Sequence, residues 1–196
     1  MTRLILASAS AARARMLREA GVAFDIVPAA VDEAAARDRL SGADPTRVAE
    51  MLAGLKAAEV SRRRPEAMVL GADQIVVFGD EILGKSTSRQ QAAAQLVRMR
   101  GRPHRLVTAA LLMQNGVPLW RHAETATLWM RDFSDEFLAE YLSKEDDALL
   151  ACVGGYRLEG LGAQLFSRIE GDYFTVLGLP LLPVLAALRE HGAIPT

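Results

Sequence analysis

The sequence predicts an α/β protein built on a mixed β-sheet flanked by helices, and three stretches carry that expectation. RLILAS runs through Ser10 into AARARMLREA, the pattern of a strand, a tight turn and a helix. AMVLGADQIVVF, residues 67–78, is a continuous apolar run of the kind shown by a strand buried on both faces. HRLVTAALLM leads to Asn115-Gly116 and then VPLWRHAETATLWMRDF, a strong two-residue hairpin signal that adds antiparallel pairing.

Taken in order, Ser10 stands where an N-cap belongs, and Gly21 stops the first helix. VAFDIVP reads as a second strand, followed by a polar, alanine-rich connection carrying Asp32 and Glu33. Asp44-Pro45 opens a helix with Pro at its first position and an apolar stripe at Val48, Met51, Leu52 and Leu55, Lys56 lying at the edge of that stripe. Ser88 caps a helix to about Arg100. Ser134 caps SDEFLAEYLSKE, with Asp135 and Glu136 at the favourable end of the helix dipole. After glycine-rich GGYRLEGLG, the segments AQLFSRIEG and YFTVLGLP read as strands, and Pro180 opens a last helix that stops near Gly192. No repeat, linker or low-complexity stretch divides the chain, so residues 1–196 are expected to form a single domain.

Composition narrows the function. With 23 Lys+Arg against 24 Asp+Glu the net charge is −1, which removes the basic excess of a nucleic-acid-coating surface. An anionic ligand must therefore be met by a few local cations. A single cysteine, Cys152, excludes an internal disulfide and a cysteine-cluster zinc site, and fits a reducing compartment. The amino end imitates a secretory signal, but only Leu4, Ile5 and Leu6 are strongly apolar there. The longest uncharged segment, from Tyr173 to Leu188, is too short for a membrane span and is broken by Pro180 and Pro183. A soluble, cytoplasmic protein with no membrane or nucleic-acid partner is the expectation.

Residues 79–86, GDEILGKS, satisfy the phosphate-loop pattern G-x-x-x-x-G-K-[ST]. The acidic pair Asp80 and Glu81 argues against that loop. Two like charges about 4 Å apart at an effective dielectric near 20 repel by roughly 4 kcal/mol. Gly79-Asp80 is turn chemistry, and Ile82-Leu83 resumes a strand, so a hairpin is expected instead. Asp73 presents the other anomaly, because an ionised carboxylate in a buried strand is costly unless it is paired or holds a cation. It is either a capped strand end beside a lysine or one of a set with Glu33, Lys56 and Lys85, and two carboxylates with magnesium suit the handling of a triphosphate. Ser8 and Ser10 end a strand and begin a helix that offers free N–H groups to an anion, and Arg13 can fold back over the same place. Ser10 reads equally well as a plain N-cap, and Arg13 as a surface residue. The three histidines, His104, His122 and His191, lack metal-ligand spacing, and Cys152 reads as a packed thiol.

In the order LILASASAARARML, VDE (31–33), LKA (55–57), GADQIVV, ILGKS, YRLEGLG and IEGDYFTVLGLPL, these blocks resemble the Maf family of nucleoside triphosphate pyrophosphatases, once described as septum-formation proteins. The resemblance runs nearly end to end. It implies an elongated α/β fold shared with inosine triphosphatase-like house-cleaning enzymes, and hydrolysis of a nucleoside triphosphate to the monophosphate and pyrophosphate with a divalent metal, Mg2+ or Mn2+. Carried over residue by residue, Asp73 matches the family's proton acceptor and Glu33 an essential acidic residue that helps hold metal. Ser8, Arg13, Lys56 and Lys85 match triphosphate-binding positions. Three departures bear on the base. Ala11-Ala12 replaces the family's frequent Pro-Arg, while Gln74 and Glu159 resemble the branch associated with 7-methyl-GTP. Ala12 itself fits neither branch.

A carboxylate at position 159 only accepts hydrogen bonds, which suits the N1–H and amino group of guanine or the amino group of cytosine. The alternative is that Glu159 joins Glu33 and Asp73 as a metal ligand. Trp120, Trp129 or Tyr156 would offer a stacking face to a positively charged methylated base. A rival reading is a nucleotide-binding regulator of cell division with little catalysis. A homodimer is the assembly we consider.

Overall fold

A computed structural model describes residues 3–40, 42–146, 149–150 and 152–196. The elements are β1 (Leu4–Leu6), α1 (Ala11–Glu19), β2 (Asp25–Ile26), α2 (Glu33–Asp38), α3 (Pro45–Arg63), β3 (Met68–Phe78), β4 (Glu81–Leu83), α4 (Arg89–Met99), β5 (Pro103–Gln114), β6 (Val117–Met130), α5 (Asp135–Lys144), a 3-10 turn (Leu161–Leu165), β7 (Phe166–Glu170), α6 (Tyr173–Val176) and α7 (Leu181–Glu190). The strands run in the order β2-β1-β3-β5-β6-β7, with β4 paired to β3. β1 is parallel to both β2 and β3, whereas β3/β4 and β6/β7 are antiparallel, so the sheet is mixed as expected. Among the described residues no helix is long and apolar enough to cross a membrane.

The chain gathers into two compact units. One takes the chain up to Gln74 together with Thr108–Glu124 and Gly178–Thr196; the other takes Ile75–Val107 and Thr125–Leu177. In the first unit, β1, β3 and α3 close a core of Ile5, Ala57, Val60, Val69, Leu111 and Met113. Helix α3 lies unusually close to β3. A Cβ placed on Gly71 would stand 2.2 Å from the Ala53 carbonyl oxygen and 2.9 Å from the Ala57 Cβ, so glycine and two alanines form the seam. That seam explains an error of phase in the sequence reading. Met51 and Leu55 point outward, and the buried face is Val48, Ala49, Leu52, Ala53, Lys56, Ala57 and Val60. Small residues set the contact, and Lys56 lies within it.

In the second unit, α4, α5 and the strand ends enclose Val76, Leu96, Met99, Leu106, Leu128, Tyr141 and Leu165. Full burial of a leucine is worth about 1.5–3 kcal/mol, so this cluster supplies the main driving force for that unit. His104 is buried in the same unit, its Nε2 2.6 Å from the Tyr156 hydroxyl. GDEILGKS is the β3/β4 hairpin: Phe78 pairs with Glu81, Gly79 has φ 60°, and the next helix starts only at Arg89. It is not a P-loop. Asn115 and Gly116 turn the β5/β6 hairpin with φ 48° and 72°, the left-handed pair that a tight two-residue loop requires.

Two stretches depart from the sequence reading, both because an aspartate captures a helix start. Asp32 accepts from the Ala35 N–H, and the alanine-rich stretch behind it coils into α2 instead of remaining a connection. Asp172 likewise accepts from Thr175 N–H, so YFTV forms α6 where a strand was expected. VAFDIVP contributes only Asp25 and Ile26 to the sheet.

Candidate active site

The first unit brings Ser8, Arg13, Glu33, Lys56, Asp73 and Gln74 onto neighbouring elements. Beyond β1 the pairing continues through Ala7 N–H to the Leu70 carbonyl at 2.8 Å, which fixes Ser8 beside β3. Ser8 Oγ accepts from the Ser10 N–H at 3.2 Å and from Arg13 Nη1 at 3.0 Å. Arg13 lies on the buried side of α1, whose start is capped by Ser10. Its Nε donates to the Gly178 carbonyl at 2.7 Å and its Nη1 to the Ala72 carbonyl at 3.1 Å. Burial pulls the guanidinium's proton affinity down, and the charges of Asp73 and Glu33 oppose that pull. Arg13 is thus a fixed positive charge braced by two backbone carbonyls. Ala12 sits half-buried one residue earlier on the same helix.

Asp73 is 3% exposed at the middle of β3. Its Oδ1 lies 2.6 Å from Lys56 Nζ, and the same ammonium is 2.9 Å from Glu33 Oε1. Glu33, at the start of α2, also meets Arg37 Nη2 at 3.4 Å. One lysine therefore joins two carboxylates from separate elements. Asp73 Oδ2 is buried and has no hydrogen-bond partner, an acceptor left open on a charged group. Next to it, Gln74 Nε2 donates to the Thr108 hydroxyl at 2.9 Å, so the amide is anchored to β5.

Lys85 and Glu159 belong to the second unit. Lys85 is exposed just beyond β4, and Glu159 is exposed on the glycine-rich segment. Both act electrostatically on Cys152. Burial raises the thiol's pKa most, Glu159 adds to the rise, and Arg157 and Lys85 counter it. The glycine-rich segment is held by Arg157, whose Nε and Nη2 reach the buried Glu145 Oε2 at 3.0 and 2.6 Å. It folds back tightly, because a Cβ on Gly162 would stand 2.4 Å from the Arg157 carbonyl. Thr108, Gly178 and the Glu145–Arg157 pair escaped the sequence reading. Arg157 lies inside YRLEGLG and Gly178 inside YFTVLGLP, but no local pattern marks Thr108 or Glu145.

Of the expected stacking residues, Tyr156 is buried, bonded to His104 and edge-on to Phe166 at 4.8 Å, so its ring offers no face to a base. Trp120 stacks on His122 at 5.8 Å, and the Arg168 guanidinium lies 4.6 Å over Trp129.

The donor set limits what cation would fit. Among the described residues there is no group of three or more His, Cys, Asp or Glu arranged to hold a metal ion. A soft or structural metal is poorly served by this. A hard divalent cation that takes one or two carboxylates and completes its shell with water and phosphate oxygens is well matched by Glu33 and the open Asp73 Oδ2.

The model of the Maf-like protein family matches residues 3–191. A nucleoside triphosphate pyrophosphatase from Granulibacter bethesdensis is 50% identical over 194 residues, covering 98% of each chain. A 7-methyl-GTP pyrophosphatase from Mesorhizobium japonicum is 48% identical over 194 residues, again covering 98% of each. Among solved structures, a dITP/XTP pyrophosphatase from Mycobacterium abscessus covers 99% of this chain and 98% of its own at 14% identity, with a TM-score of 0.44.

Proposed function

The chain belongs to the Maf-like protein family, and from that membership we propose that it is a nucleoside triphosphate pyrophosphatase, adding water across the anhydride between the α and β phosphates to give a monophosphate and pyrophosphate. The observation that carries the site assignment is the buried Asp73, joined through Lys56 to Glu33 and left with Oδ2 unpartnered.

Asp73 accepts the proton of the attacking water. Before a cation binds, Lys56 Nζ holds Oδ1 of this carboxylate at 2.6 Å and so fixes its orientation. Arg13, fixed by Ser8, Ala72 and Gly178, supplies positive charge that does not need to be reorganised as negative charge shifts onto the leaving pyrophosphate. Ser8, Lys56 and Lys85 keep the triphosphate-binding roles that the resemblance gives them. A divalent cation, Mg2+ or Mn2+, would be held by Glu33 and Asp73 and would neutralise charge on the phosphate oxygens.

Gln74 and Glu159 support 7-methyl-GTP as the preferred substrate. A carboxylate accepts from the N1–H and amino group of guanine, and a methylated, positively charged base is attracted to it. Clearing a modified nucleotide from the cytoplasmic pool is the role this reading gives the protein.

The test is pyrophosphate release across GTP, 7-methyl-GTP, CTP, UTP and dTTP with Mg2+ or Mn2+, run beside Asp73→Asn. Release should concentrate on 7-methyl-GTP, and Asp73→Asn should lower turnover by roughly 10²–10⁴-fold with nucleotide binding retained. Unchanged turnover would discard Asp73 as the base, and release favouring CTP would move the base assignment to cytosine.

A further inference from the structure

Lys56 does more in this geometry than wait for a phosphate. Its ammonium is buried, 2.6 Å from Asp73 and 2.9 Å from Glu33, and so stands between the two carboxylates assigned to the cation. We propose that Lys56 is the built-in counter-ion of the site: a divalent cation displaces its ammonium from Asp73 and Glu33, and the released ammonium then becomes a ligand for the triphosphate. The proposal rests on the site reading above.

Three observations support the exchange. A buried carboxylate cannot stay charged without a partner, and among the described residues Lys56 is the one group bonded to Asp73. Asp73 keeps Oδ2 buried and open, so a cation can engage this carboxylate before the lysine has let go. Once it has done so, the ammonium faces a doubly charged neighbour across the same two side chains, and repulsion scales with the product of the charges. A lysine suits the part. Its charge rides on a flexible four-carbon stem, whereas an arginine would lock both carboxylates in a planar fork. Arg13 is already fixed by carbonyls, so it stays in place as the standing positive charge while Lys56 moves.

The chain offers a direct readout because it holds only three lysines, Lys56, Lys85 and Lys144. Acetylation of the intact protein with acetic anhydride, followed by peptide mass spectrometry, would be compared with and without saturating Mn2+. Labelling of Lys56 should rise several-fold on adding Mn2+ while Lys144 stays constant. Mn2+ binding, followed as loss of the free-ion electron paramagnetic resonance signal, should be tighter in Lys56→Met than in the natural protein and weaker in Glu33→Gln. Persistent protection of Lys56 at saturating Mn2+, no Mn2+ binding, or weaker binding in Lys56→Met would each overturn the exchange. Should Lys56→Met fail to fold, the acetylation comparison on the natural protein decides alone. Pyrophosphate release with Lys56 still protected sinks the exchange and spares the activity; exposure of Lys56 by Mn2+ without any release does the reverse.

Discussion

His104 shows how a single buried group ties stability to acidity. Burial pushes its pKa from 6.5 down to about 4, so the imidazole stays neutral in the folded protein while the unfolded chain takes up a proton. The unfolded state therefore binds more protons between those values, and stability is lost as pH falls through that window. The whole effect amounts to roughly 3 kcal/mol. Urea midpoints at pH 7 and pH 5 should differ in the natural protein, and the difference should shrink in His104→Asn; an equal drop in both would place the sensitivity elsewhere. Glu159 is the other residue with a separable role. Glu159→Gln restores a donor as well as an acceptor, the pair that uracil or thymine presents, so relative kcat/KM should move toward UTP and dTTP. An unaltered substrate profile would remove Glu159 from base reading.

At the scale of elements, the contact between α3 and β3 governs the site. Lys56 meets Asp73 because Gly71 lets the backbone of α3 come within the reach of a missing Cβ. Gly71→Ala should cost about 1–3 kcal/mol or more, since its nearest neighbour is a backbone oxygen that cannot rotate away. Turnover should fall with it, as α3 is pushed off β3; a variant with full stability and full activity would show that the seam yields. The helix starts are governed more locally. Ser10, Ser88 and Ser134 each accept from a first-turn N–H, and all three were legible because a cap needs only its own side chain and the next few residues. α2 and α6 are harder to read, although Asp32 and Asp172 cap them, because EAAARD carries no apolar period and the aromatic and β-branched residues of YFTV favour a strand.

For the whole molecule, legibility followed the range of the interaction. The mixed sheet, the GDEILGKS hairpin and the Asn115-Gly116 turn depend on local patterns, and each stands as expected. Arg13 reaches the Gly178 carbonyl and Gln74 reaches Thr108, both far along the chain, and no spacing rule connects them. The phase of α3 does not follow its largest apolar residues, because close contact with β3 at Gly71 needs alanines and leaves Met51 and Leu55 outside. The internal pairing of Lys56 with Glu33 and Asp73 also bears on behaviour without metal. Chelation should abolish pyrophosphate release yet leave the melting temperature nearly unchanged, since both carboxylates keep a cation. Unfolding on chelation would instead make the metal part of the fold.

The outward residues Met51 and Leu55 lie on the same helix as Lys56 but take no part in the seam. The reactive spacing is gauged by backbone against small side chains on the opposite side of that helix. A dye, an affinity handle or a surface tether attached at position 51 or 55 can therefore be carried by α3 without retuning the catalyst, which makes its outer face a place from which the enzyme can be watched while it works.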